Sequence, residues 1–197
     1  MIILFAKLDR RGSLPEGILH SVSFKTIEMN CTTMLDTTIE GTYYEVVKHD
    51  RCQKPYFIWS CNRQQALTIA MNVIAALKEI CHQWYDDIVM DSDIYLTEIR
   101  SDSNNCIYHL ILDNYYHGNG LEAQQFRELV LDSIDPLYRS KLMEQKEECR
   151  KYTRYILTRS PDLRSVVIAD NKIINAAFNT SLLITYARGK LIKKKDC

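Results

Sequence analysis

Between Arg63 and Trp84, apolar residues recur at three- and four-residue steps: Leu67, Ala70, Ile74, Leu77, Cys81 and Trp84. That period places them on one face of a helix. Most of the stability of such a helix comes from burying its apolar face against another element. Candidate partners flank it. Residues 55–60 precede it as a short apolar run, and Cys106–Leu112 follow it as another, both with the length and composition of buried strands. Asn62 stands just ahead of the helix, where its side chain can accept a bond from a free backbone N–H.

The rest of the chain extends this pattern. Residues 2–7 and 42–48 have strand composition, and Ile88–Met90 and Ile94–Ile99 also read as strands. A polar turn, Arg100–Asn105, separates Ile94–Ile99 from Cys106–Leu112 and predicts a hairpin. Asn114–Gly120 is a polar loop rich in aromatics and Gly. Leu121–Ser133 and Pro136–Tyr155 read as helices, the second opening on a Pro where a helix tolerates it. Arg164–Ala169 and Ser181–Tyr186 read as late strands, and residues 8–41 carry no assignment. This order predicts an α+β fold, with a mostly antiparallel sheet covered by helices on one face. The other face is expected to stay open for a ligand. Residues 1–197 read as one domain: an N-terminal element at 1–41, a core at 42–190 and a basic tail at 191–197.

The hydrophobic content of 46% is enough for a sizeable core. Seven cysteines, an odd number without any Cys-x-x-Cys pair, fit reduced thiols in a cytosolic or nuclear protein. The opening Met1–Lys7 is too short for a secretory apolar region, and the longest apolar stretch, 66–77, is too short to span a bilayer. The formal net charge of zero hides an asymmetry. Residues 1–138 hold 11 Lys/Arg against 19 Asp/Glu, and residues 139–197 hold 14 against 6. A basic C-terminal third suits an anionic partner such as nucleic acid, or else an acidic part of the same molecule. No phosphate-binding Gly-Lys loop, Gly-x-Ser-x-Gly, His-Glu-x-x-His or zinc-ligand spacing occurs.

Tyr44-Glu45-Val46-Val47 leads to Pro55-Tyr56-Phe57-Ile58, then to the long helix, Asp91-Ser92 and finally Tyr108-His109-Leu110-Ile111. In this order the stretch from Tyr43 to about Ile134 resembles the archaeo-eukaryotic primase superfamily, closest to PrimPol and the primases of herpesviruses and poxviruses. Val167-Ile168-Ala169-Asp170 is similar to the strand holding that family's third metal-binding acid. Leu182–Lys190 is similar to a late basic segment of the herpesvirus type. The resemblance implies a primase-palm (RRM-like) core, a role in viral or cellular DNA replication, and replication proteins as partners. It implies His109 as a contact to a nucleotide phosphate and Mg²⁺ or Mn²⁺ if the site is active.

The departures from the family lie where catalysis would need acids. The family carries two carboxylates one residue apart on the second strand, where alternation puts both on one face to hold metal. Here that face carries either Trp59 and Cys61 or Ile58 and Ser60. The late Arg is also replaced. Candidate catalytic residues are therefore His109 and Asp170, and candidate metal ligands are Asp91, Asp93 and Asp170. Candidate nucleic-acid contacts are Arg150, Lys151, Arg154, Arg159, Lys190, Lys193, Lys194 and Lys195. Arg150 and Arg154 would share a face if 136–155 is helical, and Tyr115, Tyr116 and His117 would either stack on bases or pack under their loop. The combination predicts a catalytically degenerate, nucleic-acid-binding or replication-accessory domain. Its alternatives are an active polymerase with metal relocated to Asp91 and Asp93, and a protein-interaction module without nucleic acid.

Overall fold

In a computed structural model, the described residues are 2–8, 25–30, 42–85, 88–100, 105–143, 153–159, 163–169, 172–176 and 183–194. Asp170, Arg150, Lys151 and Lys195 lie outside them. Among the described residues there are eleven strands: β1 (Ile2–Leu8), β2 (Lys25–Asn30), β3 (Thr42–Lys48), β4 (Tyr56–Asn62), β5 (Ile94–Arg100), β6 (Asn105–Leu112), β7 (Tyr115–Tyr116), β8 (Thr153–Arg159), β9 (Leu163–Ala169), β10 (Lys172–Ala176) and β11 (Lys190–Leu191). The helices are α1 (Arg63–Tyr85), α2 (Gly120–Ser133) and α3 (Pro136–Met143). The fold is α+β, and the two larger sheets are antiparallel throughout. One has the order β10-β9-β5-β6-β4 and the other β2-β1-β3-β8.

The five-stranded sheet is built around the β5–β6 hairpin, with β4 on one side of it and β9 on the other. Its strands alternate their side chains between two faces. Phe57, Trp59 and Cys61 of β4 and Cys106, Tyr108, Leu110 and Leu112 of β6 go to the face covered by α1, in the main core. The helix buries Ala66, Ile69, Ala70, Val73, Ile74, Ala76, Leu77, Ile80, Cys81 and Tyr85. Leu67 and Trp84, expected on the buried face, are instead half exposed or nearly so, at 50% and 37%. The row Ala66–Ile69–Val73–Ile80 is also apolar, so the helix rolls to seat its broader arc and leaves those two residues at its margins.

Asn62 caps α1 as expected, its side chain accepting a bond from Gln65 N at 3.0 Å. Asn119 caps α2 through Glu122 N at 3.0 Å, and the Glu122 carboxylate in turn accepts from Gly118 N at 2.9 Å.

Three expected elements differ. Helix α3 is described over Pro136–Met143, and Thr153–Arg159 is a strand paired with β3. The run Tyr155-Ile156-Leu157-Thr158 is mostly aromatic or β-branched, so it supplies a ladder once β3 is beside it. Residues 88–90 are irregular, with Ile88 exposed, and 183–189 form no strand. The second sheet face is not wholly open either. Val47 of β3 and Ile184 pack there on Tyr56, Ile58 and Ile111, with Tyr95 and Ile107 at the margin. Among the described residues no helix is long and apolar enough to cross a membrane.

Leu77 is fully buried between α1 and the sheet. Leu77→Ala is expected to lower the unfolding free energy by about 2–5 kcal/mol. Urea denaturation followed by circular dichroism measures this, with the slope unchanged from wild type.

Candidate functional site

Strand β4 pairs with β6 so that Ile58 lies directly opposite His109 and Ser60 opposite Ile107. Directly opposed residues of an antiparallel pair share a face. The alternatives for the face beside His109 are thereby reduced to one: Ile58 and Ser60 stand there, while Trp59 and Cys61 turn to α1. Across the next strand pair, Thr97 of β5 is opposite His109, and it is also paired with Ser165 of β9. His109 and Thr97 are buried. Among the described residues the Thr97 hydroxyl has no hydrogen-bond partner.

The α1 side of the same strands is polar at one end. Trp59 stacks on Tyr108 with ring centroids 5.8 Å apart. The Tyr108 hydroxyl donates to Glu98 at 3.2 Å, and Arg63 approaches the same carboxylate at 3.4 Å. Burial, and then the Glu98 charge, raise the Tyr108 hydroxyl well above the ordinary phenol range.

The described side chains beside His109 do not fit a divalent metal pair. Ile58 offers no donor, and Ser60 and Thr97 offer only neutral hydroxyls, whereas Mg²⁺ is bound through carboxylates and water. Asp91 and Asp93 are held elsewhere, in the single helical turn between α1 and β5. Asp91 pairs with Lys78 of α1 at 2.6 Å. Asp93 accepts from Met90 N at 3.1 Å and from the Asn114 side chain at 2.9 Å. Both carboxylates therefore brace the turn. Among the described residues, no three His, Cys, Asp or Glu side chains gather as a metal site.

A second polar cluster joins β3, the start of β4 and the end of β6. Glu45 on β3, Lys54 before β4 and Asp113 after β6 are buried to within 1% of full exclusion from solvent. The Lys54 ammonium lies 2.6 Å from Asp113 Oδ1, and the Arg188 guanidinium forks onto the same carboxylate, from Nε at 3.2 Å and also from Nη2. Burial lowers the Lys54 pKa and Asp113 opposes the shift; the Asp113 bond raises that of Arg188. The Glu45 carboxylate accepts from Ile184 N and Thr185 N, each at 2.7 Å, and from the Thr185 hydroxyl. Burial pushes Glu45 up, against those bonds and the Lys54 charge. Together these groups hold segment 183–190 onto the sheet. The only advance signal was a charge set inside an apolar strand, Tyr43-Tyr44-Glu45-Val46-Val47.

The described basic candidates fall in two places. Arg154 and Arg159 sit on β8, opposite Val47 and Tyr43, so the helical face expected for Arg150 and Arg154 does not form. Lys190, Lys193 and Lys194 are exposed on and after β11, which pairs with β7. Gly189 enables this approach. Its φ is 85°, and a Cβ there would fall 2.0 Å from Asn114 O. The Lys194 ammonium lies 4.7 Å from the Trp84 ring centroid. Of the loop aromatics, Tyr115 and His117 are packed inside, and Tyr116 is half-buried. Tyr115 donates to Ile88 O at 3.0 Å.

Compared with known proteins, the chain matches no family model and no curated sequence.

Asp113→Asn removes the carboxylate shared by two cations, one of them buried. A cost of about 3–5 kcal/mol is expected, most of it recovered when Lys54→Met is added; chemical denaturation of the single and double variants reads both. His117 is buried between Tyr85 and Phe126, its Nε2 without a hydrogen-bond partner among the described residues. Burial, then the Arg127 charge, lower its pKa from 6.5 to about 4. The unfolded chain thus binds a proton that the folded protein refuses. Stability should fall by about 3 kcal/mol from this group as pH drops from near 6.5 towards 4. That component should be missing in His117→Gln, as measured by thermal unfolding across pH.

Proposed function

We propose that this protein is a primase-like domain that binds single-stranded nucleic acid and does not synthesise primers. The observation that carries the reading is the pairing of Ile58 with His109. The residues sharing the His109 face of β4 are Ile58 and Ser60, where the family resemblance calls for two carboxylates. Nucleotidyl transfer by two metals needs ligands that hold both ions about 3.5–4 Å apart, and an isoleucine and a serine cannot do so. The order of strands and helix around His109 is compatible with the palm that the sequence resembles.

Support for binding comes from the surface around β7 and β11. Lys190, Lys193 and Lys194 are exposed in sequence with the half-buried ring of Tyr116 and the indole of Trp84 nearby. Lysines track a phosphate backbone and aromatic rings stack on bases without regard to sequence. Replication proteins that meet the same strand are the corresponding class of partner.

Fluorescence anisotropy with a labelled single-stranded oligonucleotide should show binding that weakens steeply with salt. Lys190→Glu, Lys193→Glu and Lys194→Glu together should reduce the salt slope by about 2, at about 0.7 per lost phosphate contact. Template-directed assays with Mg²⁺ and with Mn²⁺ should give no primer. Robust synthesis lost on Asp91→Ala or Asp170→Ala would overturn the reading.

A further inference from the structure

Cys61 of β4 and Cys106 of β6 are direct partners in the strand register. Both belong to the core face under α1, and both are free thiols. Sequence spacing gives no hint of the pair, because 44 residues, among them a whole helix, separate them. Leu112 N donates to Pro55 O at 2.9 Å, which marks Pro55 and Leu112 as a hydrogen-bonded pair. Alternation along the ladder makes Cys61 and Cys106 a pair of the same kind, with Cα atoms about 5.5 Å apart. That separation lies within the roughly 4.4–6.8 Å range that a disulfide spans. The pair is also near solvent along the sheet. Among the described strands β4 stands at the end of its sheet, and the residues on either side of Cys61, Ser60 and Asn62, are exposed.

We propose that Cys61 and Cys106 form a redox-sensitive cross-strand dithiol, closed to a disulfide by a small hydroperoxide. One thiolate attacks a peroxide oxygen, the O–O bond breaks and water leaves, giving a sulfenic acid. The second thiolate attacks that sulfur, the S–O bond breaks and hydroxide leaves as a second water. The balance is two thiols plus one hydrogen peroxide to one disulfide plus two waters. The peroxide is reduced and the two sulfurs are oxidised. A small oxidant suits the site, because both thiols are buried under α1. Burial raises the Cys61 thiol pKa, with Lys141 on α3 opposing the shift, so little thiolate is present at neutral pH. Closure is therefore expected to be slow at neutral pH and faster in alkali. A bridge between hydrogen-bonded partners ties β6 to β4 and leaves the His109 face untouched.

The test uses the full-length reduced protein with hydrogen peroxide. Remaining thiols are then alkylated under denaturing conditions, and tryptic peptides are read by mass spectrometry without reductant. The expected product joins peptide 52–63 to peptide 101–127, lighter by two hydrogens and separated again by dithiothreitol. Peptide 52–63 also holds Cys52, which is exposed. Fragmentation must therefore place the bond at Cys61, and the linkage must survive Cys52→Ser. A bond through Cys52, a bond to any other cysteine, or only sulfinic and sulfonic acids at Cys61 and Cys106 would overturn the proposal. Its failure would leave the nucleic-acid reading unaffected, since neither thiol takes part in that surface.

Discussion

The register of β4 against β6 is the constraint on which the rest depends. Side chains alternate along a strand, so a one-residue slip would exchange every residue between the two faces. With Ile58 opposite His109, the aromatic and thiol residues Trp59, Cys61, Cys106 and Tyr108 all go under α1. A slip would drive Ser60 and His109 into that core and expose Trp59, which is fully buried. The burial of one indole and its stacking on Tyr108 therefore fix what surrounds His109.

The same register sets the far end of the sheet. β6 runs out at Leu112, and the next residue, Asp113, meets Lys54 just ahead of β4. A buried ion pair of this kind is poor evidence of net stability, because desolvation offsets much of the attraction. Its effect here is positional. Asp113 also takes Arg188, and Glu45 takes the backbone of Ile184 and Thr185, so the late segment has one seat. Glycine at 189 then lets the chain pass Asn114 closely and place Lys190, Lys193 and Lys194 on the surface. The buried charges and the exposed ones are thus consecutive parts of one segment.

The sequence made legible what is local and periodic. The helix 63–84, its Asn62 cap, the strands around 42–48, 55–60 and 106–112, and the hairpin at 94–112 all follow from period and turn chemistry, and the structure has them. What it concealed is pairing at a distance. Arg150 to Tyr155 fits a helix as readily as a strand, and only β3, more than a hundred residues earlier, makes Thr153–Arg159 a strand. Glu45 and Thr185 are 140 residues apart, and Asp113 and Arg188 are 75 apart. No local pattern foretells such partners. At the candidate site, His109 and the second strand were visible in order, but which of two alternating pairs shared the His109 face was not. That was a question of register, and register belongs to the sheet.

The proposed reading requires that the His109 face hold no divalent metal. Mn²⁺ titration followed by NMR of the His109 ring tests it most directly, since a bound paramagnetic ion broadens nearby signals. The wild-type His109 signals should stay sharp, and should broaden once Ile58→Asp and Ser60→Asp supply the missing pair of carboxylates. Saturable broadening of His109 in the wild-type protein would contradict the claim.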